Sequence, residues 1–188
     1  MPFDDVDRVS NLLVSAYEQE RSIFVFGNGG SAALASHFAC DLGKGTVNGS
    51  KKRFRVLALT DNVPLMTAWA NDSKYEDIFA EQLANFARPG DIAFAISGSG
   101  NSPNVLHALR TAKNIGSTTV GLGGFAGGKM RGLCDACIVI PCDNMQIIED
   151  LHLCVAHSLF TCVRAKITEP DSSQIALGPH LVRRTGTR

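Results

Sequence analysis

Five short apolar runs punctuate the chain, at residues 22–26, 54–59, 92–96, 117–122 and 136–140. Each is continuous rather than alternating between apolar and polar, the pattern of strands covered on both faces of a parallel sheet. Between them, residues 31–44, 64–86, 102–114 and 129–133 carry helical or mixed spacing, and a last helix is predicted over 146–166. An amphipathic helix over residues 4–20 precedes the first run. Strand and helix in repeated alternation predict an α/β fold. The expected form is a doubly wound, three-layer α-β-α sandwich on a mostly parallel sheet of about five strands. Residues 1–166 make one domain in this reading; residues 167–188 lose periodicity, carry two prolines and are expected to be a flexible tail.

In such a sheet, ligands bind beyond the carboxyl ends of the strands. The first run exits into Gly27-Asn28-Gly29-Gly30-Ser31 and the second into Thr60-Asp61-Asn62. The third exits into Ser97-Gly98-Ser99-Gly100-Asn101-Ser102. The first loop fits the dinucleotide fingerprint GxGxxA at Gly27, Gly29 and Ala32. Any anion docked on a helix N-terminus wants the same glycines, however, and Asp61 falls farther along than a ribose-binding acid should. The third loop argues for a phosphate monoester. Backbone N–H groups and serine hydroxyls can surround one without a lysine, and neither loop carries a GKS or GKT triphosphate motif or a magnesium-binding acidic cluster. The plain alternative is a capping turn, with Ser102 as N-cap and Pro103 in the first helical turn. That needs one hydroxyl, and the loop supplies three.

Composition narrows the classes. Lys+Arg and Asp+Glu balance at 18 each, so no bulk field favours nucleic acid or an anionic membrane. No apolar stretch approaches the roughly 20 residues of a membrane span. The opening MPFDDVDRVS is acidic, which is wrong for a secretory or transit peptide, so a soluble cytoplasmic protein is expected. The six cysteines then read as reduced thiols. Cys134-Asp135-Ala136-Cys137 is formally a CxxC, but it runs into an apolar segment instead of opening a helix, and reads as packing thiols.

His37 and Asp41 stand four apart on the predicted helix after the first loop and so share a face. A surface histidine beside an Asp41–Lys44 pair is the bland alternative. On the last helix, Ile148, Leu151, Val155 and Leu159 form an apolar stripe with His152 at its margin, which suits a hydrogen-bonded packing histidine. Glu149 and His157 fall outside the stripe and are free to point elsewhere, including towards another subunit.

The blocks GNGGSA…HF, NDSKYED, RPGDIAFAISGSGNSPNV and MQIIEDLHLCVAH, in that order, resemble the sugar isomerase (SIS) domain family. Within it they are most similar to the sedoheptulose 7-phosphate isomerases, over residues 21–164. The resemblance implies that Ser97, Ser99 and Ser102 hold a sugar phosphate, with Gly98 where the family usually has threonine. It implies that Asn28, Gly29, Gly30 and Ser31 line the same pocket, and that Asn71-Asp72 matches a pair that contacts the sugar. The family's catalytic carboxylate, a glutamate, falls on Asp41, its catalytic histidine on His157 and a family glutamine on Glu149. A side chain one methylene short can misplace a base by ~1 Å and cost on the order of 100-fold.

Some family members bind zinc at the four positions that are His37, Asp41, Glu149 and His157 here, so one Zn²⁺ per site is implied and no nucleotide or redox cofactor. Glu149 and His157 are eight residues apart, ~12 Å along a helix. They meet one metal only if residue 149 lies in a frayed start or comes from a neighbouring chain. The implied reaction is aldose–ketose isomerisation through an enediol, from sedoheptulose 7-phosphate to D-glycero-D-manno-heptose 7-phosphate, for surface polysaccharide or a secondary metabolite. A homotetramer with sites at subunit interfaces is implied too, although only 26 residues precede Gly27, fewer than the family's N-terminal region usually has. Non-catalytic SIS relatives that bind a replication initiator are the alternative. They lack the catalytic acid and last histidine, both represented here.

Overall fold

The computed structural model describes residues 2–47, 49 and 52–168. Helix α1 (Phe3–Glu18) leads into β1 (Ser22–Gly27) and α2 (Gly30–Cys40), which continues as one π-helical turn, Asp41–Gly45. There follow β2 (Arg55–Ala58), α3 (Val63–Asp72), a 3₁₀ turn (Tyr75–Asp77), α4 (Ala80–Phe86) and β3 (Ile92–Ser97). Then come α5 (Pro103–Ile115), β4 (Thr118–Gly124), the short α6 (Gly128–Arg131), β5 (Ala136–Ile140) and α7 (Met145–Thr168).

The five strands pair in the order β2-β1-β3-β4-β5. Every pairing is parallel, so the expected mostly parallel sheet is wholly so. Side chains along each strand feed two separate cores, as the period of two demands. Ile23 and Val25 of β1, with Phe94 and Ile96 of β3, pack under α1, α2 and α7 through Leu13, Phe38, Val155 and Leu159. Phe24 and Phe26, with Ala93 and Ala95, face the other layer, where Phe79, Leu83, Val105 and Leu109 cover them. Burying one such phenylalanine is worth roughly 1.5–3 kcal/mol.

Local chemistry sets the helix limits. Asn62 caps α3 by accepting from the Leu65 amide at 3.1 Å. Pro103 opens α5, and Gly116 closes it in the left-handed region at φ 89°. The apolar region 64–86 is broken at Ser73, whose hydroxyl turns to Asp77. That hydrogen bond, with Lys74 and His107 nearby, holds the Asp77 carboxyl below its usual range. Helix α7 runs two residues past the expected end, through Ile167 and Thr168, because Ile167 still packs against the core. The rest of the expected tail, residues 169–188, lies outside the described residues. Among the described residues no helix is long and apolar enough to cross a membrane.

Candidate functional site

Strand order reverses direction between β1 and β3, since β2 lies on one side of β1 and β3–β5 on the other. Ligands of doubly wound sheets bind at this switch point. Gly27 pairs with Ile96 in register, so the two polar loops leave the sheet side by side. At Gly27 a Cβ would stand 2.6 Å from the Ile96 carbonyl oxygen and 2.8 Å from Ser31 Cβ, which only glycine allows. Asn28 then forms a reciprocal amide pair with Asn104, at 2.9 and 2.8 Å, and accepts from the Tyr75 hydroxyl at 3.1 Å. Tyr75 and Asn104 stand inside the blocks NDSKYED and RPGDIAFAISGSGNSPNV, but nothing in the sequence ties either one to Asn28. Gly29 (φ 56°) and Gly30 are exposed at the start of α2, and Ser31 is buried beneath them.

The serine loop is folded on itself. Ser97 ends β3, and its Oγ accepts from the Gly100 amide at 3.2 Å and lies 3.5 Å from Ser102 Oγ. Ser102 occupies the N-cap position of α5, yet its hydroxyl makes no capping bond. The capping-turn alternative therefore loses its main support. Ser99 Oγ accepts from the Asn101 amide at 3.2 Å. Asn101 in turn accepts from the Lys129 amide at 3.1 Å, and Gly100 O accepts from the Met130 amide at 2.9 Å, so α6 braces the loop from behind. Gly98 lies under α7: a Cβ there would meet Met145 Sδ at 2.5 Å.

The second assembly lies between α2 and α7. His37 Nε2 and His157 Nε2 face each other at 2.9 Å, so one donates and the other accepts. Asp41 Oδ2 stands 3.4 Å from the first and 3.8 Å from the second. Asp41 opens the π-helical turn, a local widening often found at functional sites. The imidazoles are about half exposed, at 46% and 51%, against 23% for Asp41. A cavity of about 490 Å³ runs from this cluster to Gly30 and Ser31, walled by Leu34, Glu149 and His152. The serine-loop residues are not among those that line it.

Glu149 is placed apart from the cluster. The three donors that lie within 4.8 Å of one another are those of His37, Asp41 and His157. The Glu149 carboxylate instead sits over Gly30, its atoms 3.3 Å from where a Cβ would be. Because α7 is regular from Met145 onward, no frayed start brings residue 149 down to His157, and within one chain the expected four-ligand set becomes three. Asn71 and Asp72 are exposed at the end of α3 and hydrogen-bonded to each other at 2.7 Å. They too lie outside the cavity lining.

His152 is buried, as the stripe predicts, but neither ring nitrogen has a partner at hydrogen-bonding geometry. The expected hydrogen-bonded packing histidine is thus corrected to one without a well-aligned hydrogen bond. Burial pushes its pKa down, and the Gly123 backbone and the Glu149 charge offset only part of that. A histidine with a depressed folded-state pKa gives full stability above its unfolded pKa of about 6.5 and loses it as pH falls through that window. Urea unfolding at about pH 7.5 and about pH 5.5 should therefore show wild type losing stability on acidification. His152→Leu should lose less; equal losses in the two proteins would remove His152 as the cause.

The SIS domain family profile matches residues 3–124. The chain belongs to the SIS domain family. It is 43% identical over 143 residues to a phosphoheptose isomerase from Paramagnetospirillum magneticum, covering 76% of this chain and 74% of that one. It is 39% identical over 153 residues to one from Helicobacter pylori, covering 81% and 79%. Among solved structures, the phosphoheptose isomerase GmhA from Neisseria gonorrhoeae superposes with a TM-score of 0.80 at 28% identity, covering 86% of each chain. For this SIS-domain protein, both the sheet order and the paired loops at the switch point agree with that membership.

Proposed function

We propose that this SIS-domain protein isomerises a phosphorylated sugar, converting sedoheptulose 7-phosphate to D-glycero-D-manno-heptose 7-phosphate. One observation carries the reading: a carboxylate flanked by two imidazoles, in a chain about 40% identical to phosphoheptose isomerases. The phosphate is held by Ser97, Ser99 and Ser102 with backbone N–H groups of Gly98 and its neighbours. Asn28, oriented by Asn104 and Tyr75, and the amides at Gly29, Gly30 and Ser31 meet the sugar chain. Asn71 and Asp72 offer further hydrogen bonds to hydroxyls, and so does Glu149. Asp41 removes the proton from C1 of the open-chain ketose, which leaves a 1,2-enediol. His157 moves a proton between the two oxygens, and return of the carbon proton to C2 gives the aldose. Nothing is oxidised or reduced overall, so the reaction needs no redox or nucleotide cofactor.

Two imidazole nitrogens and one carboxylate oxygen, separated by 2.9–3.8 Å, suit a divalent ion such as Zn²⁺ with an open position. His37, Asp41 and His157 would hold it, and Glu149 would join only from a neighbouring chain. Bound there, the ion would polarise a substrate oxygen. A homotetramer with shared sites fits the exposure of the cluster on one chain and the separation of the serine loop from the cavity lining. The test is turnover of sedoheptulose 7-phosphate across a dilution series, before and after metal stripping. Activity that falls on dilution and on stripping, and returns with Zn²⁺, is expected. Binding of the sugar phosphate without any turnover would overturn the isomerase reading in favour of a binding protein.

A further inference from the structure

On the opposite face of the sheet from the cavity, the CxxC segment has a geometry that the proposed isomerisation does not use. Gly121 is a central residue of β4, paired in register with Cys137 of β5. A Cβ at Gly121 would stand 2.9 Å from Cys134 Sγ and 3.0 Å from Cys137 Sγ. The two sulfurs thus share the hollow left by one missing side chain. They are free thiols, half-buried rather than sealed. The turn that carries them is pinned. Asp135 Oδ2 accepts from the Thr119 amide and hydroxyl, each at 2.8 Å, and the Asp135 carbonyl accepts from Arg8 at 2.7 Å. Little conformational entropy remains to be lost in bringing the sulfurs together.

We propose that Cys134 and Cys137 are an oxidisable dithiol, which small-molecule disulfides close to an intramolecular disulfide, and that closure loosens the serine loop. Cys137 attacks one sulfur of the incoming disulfide, forming a mixed disulfide and releasing one thiolate. Cys134 then attacks the Cys137 sulfur, loses its proton and expels the second thiolate. The protein gives up two electrons and two protons, and the small disulfide becomes two thiols. The order follows from the surroundings. The neighbouring Cys134 and the nearby Arg131 charge push the Cys137 thiol down, whereas Cys137 and burial push Cys134 up.

The link to the loop is short. The amides of Leu133 and Cys134 both donate to Met130 O, at 2.9 and 3.1 Å, and the Met130 amide donates to Gly100 O. Met130 Cε also stands 3.3 Å from the Gly121 Cβ position, so it forms a wall of the sulfur hollow. Pulling Cys134 towards Cys137 displaces the residue that braces Gly100.

The experiment treats the full-length Cys142→Ser protein with oxidised glutathione and digests it with trypsin and an Asp-specific protease. That digestion separates Cys134 from Cys137. Binding of inorganic phosphate is measured in parallel by calorimetry, with Cys134→Ser/Cys137→Ser as control. A disulfide-linked peptide pair, with phosphate binding weakened about tenfold in the oxidised protein and unchanged in the control, is expected. Failure of the linked pair to form overturns the dithiol, and a linked pair with unaltered phosphate affinity overturns its action on the loop. Neither readout requires isomerase turnover.

Discussion

Asp41→Asn is expected to lower kcat for sedoheptulose 7-phosphate by about 10³-fold, the usual worth of a positioned general base. Asparagine keeps the shape and one oxygen but cannot accept the C1 proton at neutral pH. The neighbouring imidazoles do not replace it, because in this reading His157 is committed to the proton that moves between the two oxygens. Asp41→Glu separates geometry from chemistry: it keeps the charge and adds a methylene, so a large part of the activity should survive. Steady-state kinetics beside direct measurement of sugar-phosphate binding decide the matter. Full activity in Asp41→Asn would remove Asp41 from the reaction, and lost binding would make it a substrate anchor instead.

Gly100→Ala is expected to cost about 3 kcal/mol or more, from a left-handed backbone and a steric clash together. Its φ of 62° disfavours any side chain, and a Cβ would fall 2.1 Å from the Gly127 carbonyl oxygen and 2.7 Å from its carbon. Both are backbone atoms, fixed by the Gly127 amide donating to Gly124 O at 2.8 Å, so neither can swing aside. The denaturation midpoint should fall by roughly 10 °C, at 2–4 °C per kcal/mol for a chain of this size. Phosphate binding should weaken with it, since the serine hydroxyls ride on this turn. A midpoint within about 2 °C of wild type would show that the two loops are not held as tightly as their contact implies.

The fold was legible because the central strands are continuous apolar runs, and both polar loops follow directly from the ends of such runs; only the edge strand β2, with Arg55 and an exposed Leu57, departs from that pattern. His37, Asp41 and His157 were also legible, from helical phase and family resemblance together. What stayed hidden depends on contacts between distant segments. The π-helical turn at Asp41 has no sequence signal of its own, and close packing of Phe160 on Gly45, 2.8 Å from a Cβ position there, accompanies it. The Asn28–Asn104–Tyr75 network joins three elements that only the sheet order brings together. The separation of Glu149 from His157 along one helix was legible from their spacing of eight; what a neighbouring chain brings to the cluster was not, because it depends on contacts between chains.

The packing of Met145 on Gly98 bears on how this protein can drift. Gly100 is closed to change because its neighbours are backbone. Two residues earlier the obstacle is the far end of an unbranched thioether with several rotatable bonds. A small side chain acquired at 98 would be absorbed by a rotamer change in α7 instead of a broken loop. The loop therefore joins one frozen position to one tolerant position, and descendants of this sequence can add a hydroxyl at 98 without first rebuilding the turn that holds it.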